Sequence, residues 1–188
     1  MQASPATEQI LHLATEAVQN GNGVRLSEFD RLSAATYITD PDGVITYYNP
    51  ACIDLAGRVP LLGHDRWCVT WKIYTEEGAF LPHDQCPMAI AIREQRAIRG
   101  VSAVAERPDG SRINFAPYPT PIFDDQGGFL GAVNILVDVT GEKQAALLRL
   151  QASRCRRLAY SVGDLQTAET LTQLAAEYEE KADKLRAA

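Results

Sequence analysis

Concentrated positive charge is missing from this chain. The formal net charge is −6 and no long basic run occurs. Nucleic acid is therefore not an expected partner, because phosphate binding needs a concentrated positive surface. The cluster Arg154, Cys155, Arg156 and Arg157 is the one basic patch, and it reads as the polar side of a helix. Long apolar runs are missing too. None approaches the ~20 residues of a membrane span. The start MQASPATEQILHLATEAVQN has no basic segment followed by an unbroken apolar core, so it does not read as a signal peptide. The expected location is cytoplasmic, with no membrane partner. Cysteine is sparse. Cys52, Cys68, Cys86 and Cys155 are scattered without a repeated spacing and read as reduced thiols. There is no Ser-His-Asp arrangement, no phosphate-binding glycine loop and no carboxylate pair in a suggestive context, so no catalysis is expected.

What is present is a globular composition. Apolar residues make up 46% of 188, enough for one domain with a sizeable core and some appended helices. Residues 5–32 read as helical. Ile10, Leu13, Ala14, Ala17 and Val18 fall on one stripe, the NGNG at 20–23 breaks the helix, and a shorter piece runs from 26 to 32. Residues 141–188 read as a helical hairpin. Leu148, Ala152, Cys155, Ala159 and Val162 form one stripe, Gly163 is a stop, and Asp164 is an N-cap for the next helix. That second helix carries Leu171, Leu174, Tyr178, Ala182 and Leu185 near a heptad pattern. Glu177 with Lys181 and Glu180 with Lys184 are at the favourable i, i+4 spacing.

The middle, about 33–140, is rich in turns. TDPDGV at 39–44 and ERPDGS at 106–111 place Pro-Asp-Gly between apolar runs, and FDDQGGF at 123–129 is a third turn. Asp40, Asp42, Asp124 and Asp125 are thus turn chemistry. Five strands follow, at roughly 34–40, 44–48, 100–106, 111–122 and 129–139. The first two form a hairpin and the last three a meander. In the fourth strand Pro117, Pro119 and Pro121 alternate and strip successive donors from one lateral side. Its later half should therefore pair on one side only. The fifty or so residues between the second and third strands read as helix and loop. Asn49 is an N-cap, Pro50 the first helical position and Gly57 the stop of a short helix, and a longer helix runs from about 84 to 97.

The segment YITDPDGVITYYNPACIDLAG, a helical middle, and then the stretch from Val101 to DVTGEK at 138–143 resemble a PAS domain over about 33–143. The likeness is greatest to the PAS sensor modules that precede bacterial histidine kinases, including those of the HWE type. The resemblance implies an α+β fold with a five-stranded antiparallel sheet in the order 2-1-5-4-3. Small helices cover one face and leave a pocket that holds haem, flavin, a metabolite or nothing, depending on the member. It also implies that Asp138, Val139 and Thr140 are the junction that passes strain from sheet to output helix. Thr140 can cap that helix, and Glu142 suits its first turn. No histidine follows His83 to serve as a phosphoacceptor, so the chain is not expected to be a kinase. The reactive-cysteine motif of the light-sensing flavin branch is missing.

Several side chains are candidates for binding. His64, Cys68, His83 and Cys86 are residue types that zinc accepts, at the spacing H-x3-C-x14-H-x2-C. His83, just before the longer helix, is the one candidate haem ligand. Against these stands the helix-start reading of HDQCPM, which is favoured. In it Asp84 is the N-cap, Pro87 lies in the first turn, and Cys86 is a small buried hydrophobe. Trp67 and Trp71, if helical, share a face and make an apolar lid, and the competing and favoured role is core packing. By analogy with the family, Met88, Ile92, Phe115, Asn134 and Leu136 complete the ligand-binding set, with Asn134 as a polar handle. Its competing role is a structural amide satisfying nearby backbone.

The expected protein is a stand-alone PAS module, with helical segments at 1–32 and 141–188 around a PAS domain at 33–140. It senses a signal or binds proteins as a homodimer, and its expected partner is a two-component histidine kinase. The cofactor is unknown and a small-molecule ligand is open. Two alternatives are a haem- or metal-binding sensor using His83 and nearby cysteines, and a structural dimerisation module with a filled core.

Overall fold

Four turns of one chemical design set the framework. In each, the N–H of a glycine bonds back three residues, and the first residue of the turn accepts from it and donates to the residue after it. The pairs are Asp40 with Gly43, Thr75 with Gly78, Arg107 with Gly110, and Asp124 with Gly127. The glycines have φ of +82° to +90°, the left-handed position that closes a type I turn with a bulge. Asp40 and Asp124 reinforce their turns, since Oδ1 of each accepts two further backbone N–H groups.

The computed structural model describes residues 4–19 and 27–187. The chain divides into two compact units, Met1–Asp138 and Val139–Ala188. The first unit contains helix α1 (Pro5–Gln19), a 3₁₀ turn at Ser27–Arg31, strands β1 (Ala35–Thr39) and β2 (Ile45–Tyr48), and helix α2 (Pro50–Ala56). Strands β3 (Lys72–Tyr74) and β4 (Phe80–Leu81) come next, then a 3₁₀ turn at His83–Gln85 and helix α3 (Pro87–Glu94). Strands β5 (Ala103–Glu106), β6 (Arg112–Pro117), β7 (Thr120–Phe123) and β8 (Phe129–Asp138) complete it.

The sheet runs in the order β2-β1-β8-β6-β5-β3-β4, with every pairing antiparallel. The expected five-stranded order is embedded in it, extended by the β3–β4 hairpin that the sequence reading assigned to helix and loop. The expected single strand at 111–122 is broken at Tyr118 and Pro119 into β6 and β7. β7 pairs with β8 alone, as the alternating prolines require.

Both faces of the sheet are covered. Helices α2 and α3 bury Cys52, Leu55, Met88 and Ala89 in one cluster with Ala132 and Leu136 of β8. Helix α1 packs on β7 and β8, where Val133 and Ile135 point away from that cluster. Its buried stripe is Thr7, Leu11, Ala14 and Ala17, so the stripe expected through Ile10, Leu13 and Val18 is rotated, and Leu13 is exposed. Ser4 caps it through the Thr7 N–H, and Gln19 Nε2 ties its end to the Phe123 carbonyl at 2.7 Å. The break expected at 20–23 and the start of the piece expected at 26–32 lie outside the described residues.

Asn49 stands at the cap position of α2 with Pro50 after it, yet its side chain makes no cap bond. It is wholly buried and reaches elsewhere. Its Oδ1 accepts the Thr36 N–H at 2.9 Å, and its Nδ2 lies within bonding distance of the Ala34, Phe29 and Leu32 carbonyls. Arg107 performs the capping at the other end of α2. Its guanidinium donates to the Asp54 and Leu55 carbonyls at 3.0 Å, where a cation also suits the helix dipole.

The second unit is a pair of helices, α4 (Thr140–Ser161) and α5 (Leu165–Ala187). Val139 occupies the cap position of α4 and Thr140 is its first residue, so the capping role expected for Thr140 is not what forms; Glu142 is in the first turn as expected. Asp164 caps α5 through the Thr167 N–H at 2.8 Å. Ala145, Ala152, Ala175 and Ala182 are wholly buried and seven residues apart on each helix. Such a seam of small side chains brings two helices close. Ala175 takes the buried place, while Leu174 is half-buried. Arg149 pairs with Asp183 at 2.7 Å and Arg156 with Glu179 at 2.5 Å across the seam. Of the two expected i, i+4 pairs, Lys184 with Glu180 closes at 2.7 Å, and none forms between Glu177 and Lys181.

Candidate functional site

Much of the space between the sheet and its helices is filled with side chains. Helix α3 begins at Pro87, with Cys86 at the cap position, so Asp84 is not the N-cap. The helix stops at Glu94, short of the expected 97, because Gln95 turns left-handed at φ 50°. Met88 enters the core from α3 beside Phe115 of β6 and Leu136 of β8, each 2% exposed or less, and Ile92 packs against the same cluster. These four expected site residues are therefore brought together. Burial holds the Cys52 and Cys86 thiols up at about 12 and also raises Cys68. All three are neutral, free thiols in the core.

One polar chain crosses this interior. Asn134 Oδ1 accepts the Tyr118 N–H at 2.9 Å, and its Nδ2 donates to the Tyr37 hydroxyl at 2.9 Å. That hydroxyl donates to the Trp67 carbonyl at 2.7 Å. Asn134 thus satisfies backbone and core groups. Trp67 is held outside any helix, with φ at 62°. Its indole lies so close to Gly43 that a Cβ there would come within 2.5 Å. Trp71 is 44% exposed with the Lys72 ammonium 4.0 Å from its ring centroid. The expected helical lid of two tryptophans does not form, because Trp67 leaves the helical region and the chain then runs on into β3.

His83 sits in the 3₁₀ turn ahead of α3. With Arg58, Asp65, Arg66, Cys68, Thr70 and Trp71 it lines a small cavity of about 140 Å³. His83 Nε2 is buried and has no hydrogen-bond partner. Burial, followed by the nearby Arg58 charge, lowers its pKa. No group of three or more His, Cys, Asp or Glu side chains that could hold a metal occurs among the described residues. The zinc set of His64, Cys68, His83 and Cys86 is therefore not assembled, and His64 lies out in solvent. Haem does not fit at His83 either, since the space beside it is too small.

The lowered pKa has a consequence for stability. The unfolded chain takes up the proton at an ordinary histidine pKa of about 6.5, while the folded protein resists it. Stability contributed by neutral His83 is complete above that value and drains away as pH falls below it. His83→Gln is expected to flatten the loss of stability between about pH 6.5 and 5. Urea midpoints at several pH values, with equal slopes for both proteins, would contradict this.

A second opening, of about 420 Å³, lies between α2, the start of β1 and the end of β8. Leu55, Ile113 and Leu136 form its floor, and Ser33, Asp54, Arg107 and Asp138 stand at its rim. It places Leu136 and the last residue of β8 in one wall. β8 ends at Asp138, Val139 follows, and α4 starts at Thr140. The three expected junction residues therefore span one strand-to-helix transition.

The profile of the PAS domain family matches residues 33–141, more than half of the chain, and the protein belongs to that family. Its fold is a PAS fold with an enlarged sheet, and membership suggests a sensory or signalling role. Among solved structures, an RNA-binding Light-Oxygen-Voltage receptor is 26% identical, with TM-score 0.47 over 63% of this chain and 33% of that one. This chain thus spans about a third of that receptor. A PAS domain from Colwellia psychrerythraea is 21% identical, with TM-score 0.41 over 62% of this chain and 95% of its own. The PAS domain of the fruit-fly ELK potassium channel is 15% identical, with TM-score 0.45 over 61% and 93%. A comparison with curated proteins found no match. Among the described residues no helix is long and apolar enough to cross a membrane.

Proposed function

We propose that the protein is a sensory and protein-interaction module of bacterial signal transduction. It works as a homodimer and modulates a two-component histidine kinase by binding, without catalysis. In this reading residues 33–140 receive the signal, and the segments 1–32 and 141–188 surround them. Asp138, Val139 and Thr140 transmit strain into α4. The observation that carries the reading is the outer surface of the helical pair. Leu147, Leu150, Leu158 and Leu165 are 47% to 75% exposed there, although the alanine seam already joins α4 to α5. A helical pair with this much exposed leucine is suited to burying it against other helices. Leu150→Glu with Leu158→Glu is expected to convert the dimer to monomer, read by sedimentation equilibrium. It should also abolish any effect of the protein on autophosphorylation of the partner kinase. A wild-type protein that stays monomeric at high micromolar concentration would sink the dimer.

A second reading has its own support. The 420 Å³ opening has the size of a small-molecule site, for which ~300 Å³ is the lower bound. Its apolar floor and charged rim suit a small amphipathic ligand, bound beside Leu136 and Asp138 at the end of β8. The interior set of Trp67, Met88, Ile92, Phe115 and Asn134 then acts as the packed wall that relays the binding.

A further inference from the structure

We propose that the cavity beside His83 is a binding site for a small inorganic oxyanion, with His83 Nε2 as its anchoring donor. Three observations converge on it. The space is about 140 Å³, room for a few waters at ~30 Å³ each. That is well below an ordinary organic ligand site at ~300 Å³ and more, so the occupant is of inorganic size. Four of the lining residues bear donor groups: Arg58, Arg66, Thr70 and His83. The buried Nε2 atom has no partner within the protein, and a buried polar atom is costly to leave so.

The charges choose an anion over a cation. The one carboxylate in the lining, Asp65, is already committed. Its Oδ2 accepts from Arg58 at 2.5 Å and from the Leu61 N–H at 3.0 Å. Burial pushes its carboxyl up, but these donors outweigh that and hold it below the usual range. Arg58 is only 23% exposed. It spends its Nε on the Val69 carbonyl and one amino group on Asp65, which leaves N–H groups on a second nitrogen. Arg66 is exposed; its guanidinium donates to the Asp42 carbonyl and lies over the Trp67 ring, 4.8 Å from the centroid, and adds positive charge near the cavity it helps to line. Planar guanidiniums fixed in this way match the oxygens of sulfate or phosphate. The Cys68 thiol lies 3.1 Å from the Thr70 hydroxyl and, held neutral by burial, adds no opposing charge. Asp84 is the further acid near His83, and it is exposed.

The site is distinct from the leucine surface and the edge opening, and it adds an ionic input to the sensor. The test uses the full chain, with inorganic phosphate and sulfate titrated at constant ionic strength against chloride. Sulfate and phosphate stabilise many proteins without binding, so the readout is the His83 imidazole resonance. Saturable movement of that resonance is expected, with a rise in its pKa and no such response to chloride. His83→Gln should weaken phosphate binding, measured by calorimetry, roughly tenfold. Thr70→Val, which keeps the shape, should weaken it less. If the His83 resonance does not respond to either oxyanion, or His83→Gln binds phosphate as well as wild type, the proposal is wrong. Should His83→Gln not fold, the resonance titration and Thr70→Val decide alone.

Discussion

Gly131→Ala is expected to destabilise the PAS domain by roughly 3 kcal/mol or more. Gly131 lies in β8 between two neighbours. It pairs with Ile122 of β7, and the next residue, Ala132, pairs with Thr39 of β1. Its φ is +128°, which L side chains rarely adopt, and a Cβ would come within 2.0 Å of the Thr39 carbonyl oxygen. The obstacle is backbone in a paired strand, so no side-chain rotation relieves it. Gly110→Ala is the control. Its φ is +82° but nothing lies within 4 Å of the added carbon, so it should cost about 1–2 kcal/mol, the left-handed strain alone. Urea denaturation of the two variants separates strain from collision. Equal losses would show that the approach to Thr39 is not what excludes a side chain.

Asn49→Asp is expected to cost about 3 kcal/mol at neutral pH, and Asn49→Ala somewhat less. The amide joins the Thr36 N–H of β1 to three carbonyls of the preceding segment. Alanine leaves those groups short of partners. Aspartate keeps the acceptor for Thr36 but turns a carboxylate toward the carbonyls of Phe29, Leu32 and Ala34. The two variants differ in their pH response. Protonating the aspartate restores a donor, so Asn49→Asp should recover part of its loss relative to wild type as pH falls, whereas Asn49→Ala should not. Paired urea midpoints across the acid range read the difference, and parallel curves would refute the assigned geometry.

Much of the fold was legible because its signals are local. Pro-Asp-Gly and Asp-Asp-Gln-Gly marked three hairpins, and the alternation of Pro117, Pro119 and Pro121 correctly limited β7 to a single neighbour. The fourth hairpin, β3–β4, is not legible in the sequence. Two- and three-residue strands are too short to show a period, although Thr75 with Gly78 carries the same turn spacing as the other three. The heptad spacing announced a helical pair. Which of Leu174 and Ala175 enters the seam depended on the rotation of one helix against the other.

The candidate site was less legible. Asn49 at a helix start takes a role other than the cap expected of it, and for Asn134 the structure selects the structural amide over the polar handle. One clasps the segment before β1, and the other bridges Tyr118 to Tyr37. Met88, Phe115 and Leu136 were expected to line one space, and they do meet, as packing that fills it. The sequence offers His83 as a candidate metal or haem ligand, while its unpartnered nitrogen and the arginine residues that share its cavity depend on contacts between separate segments.

The sequence by itself determined three of the four hairpin turns and the helical pair, which rest on residues within a few positions of one another, where backbone angles and side-chain period decide. The order of the five shared strands came from the resemblance to the PAS family, since pairings such as β1 with β8 join distant residues. Only the tertiary structure decided that the interior is packed, that Trp67 and Trp71 part company, and that a donor-lined cavity forms around His83. The cavity depends on how the connection between α2 and β3, which carries Arg58, Asp65 and Thr70, folds against the turn that carries His83, and a one-residue shift in either segment would have produced a different site from the same local signals.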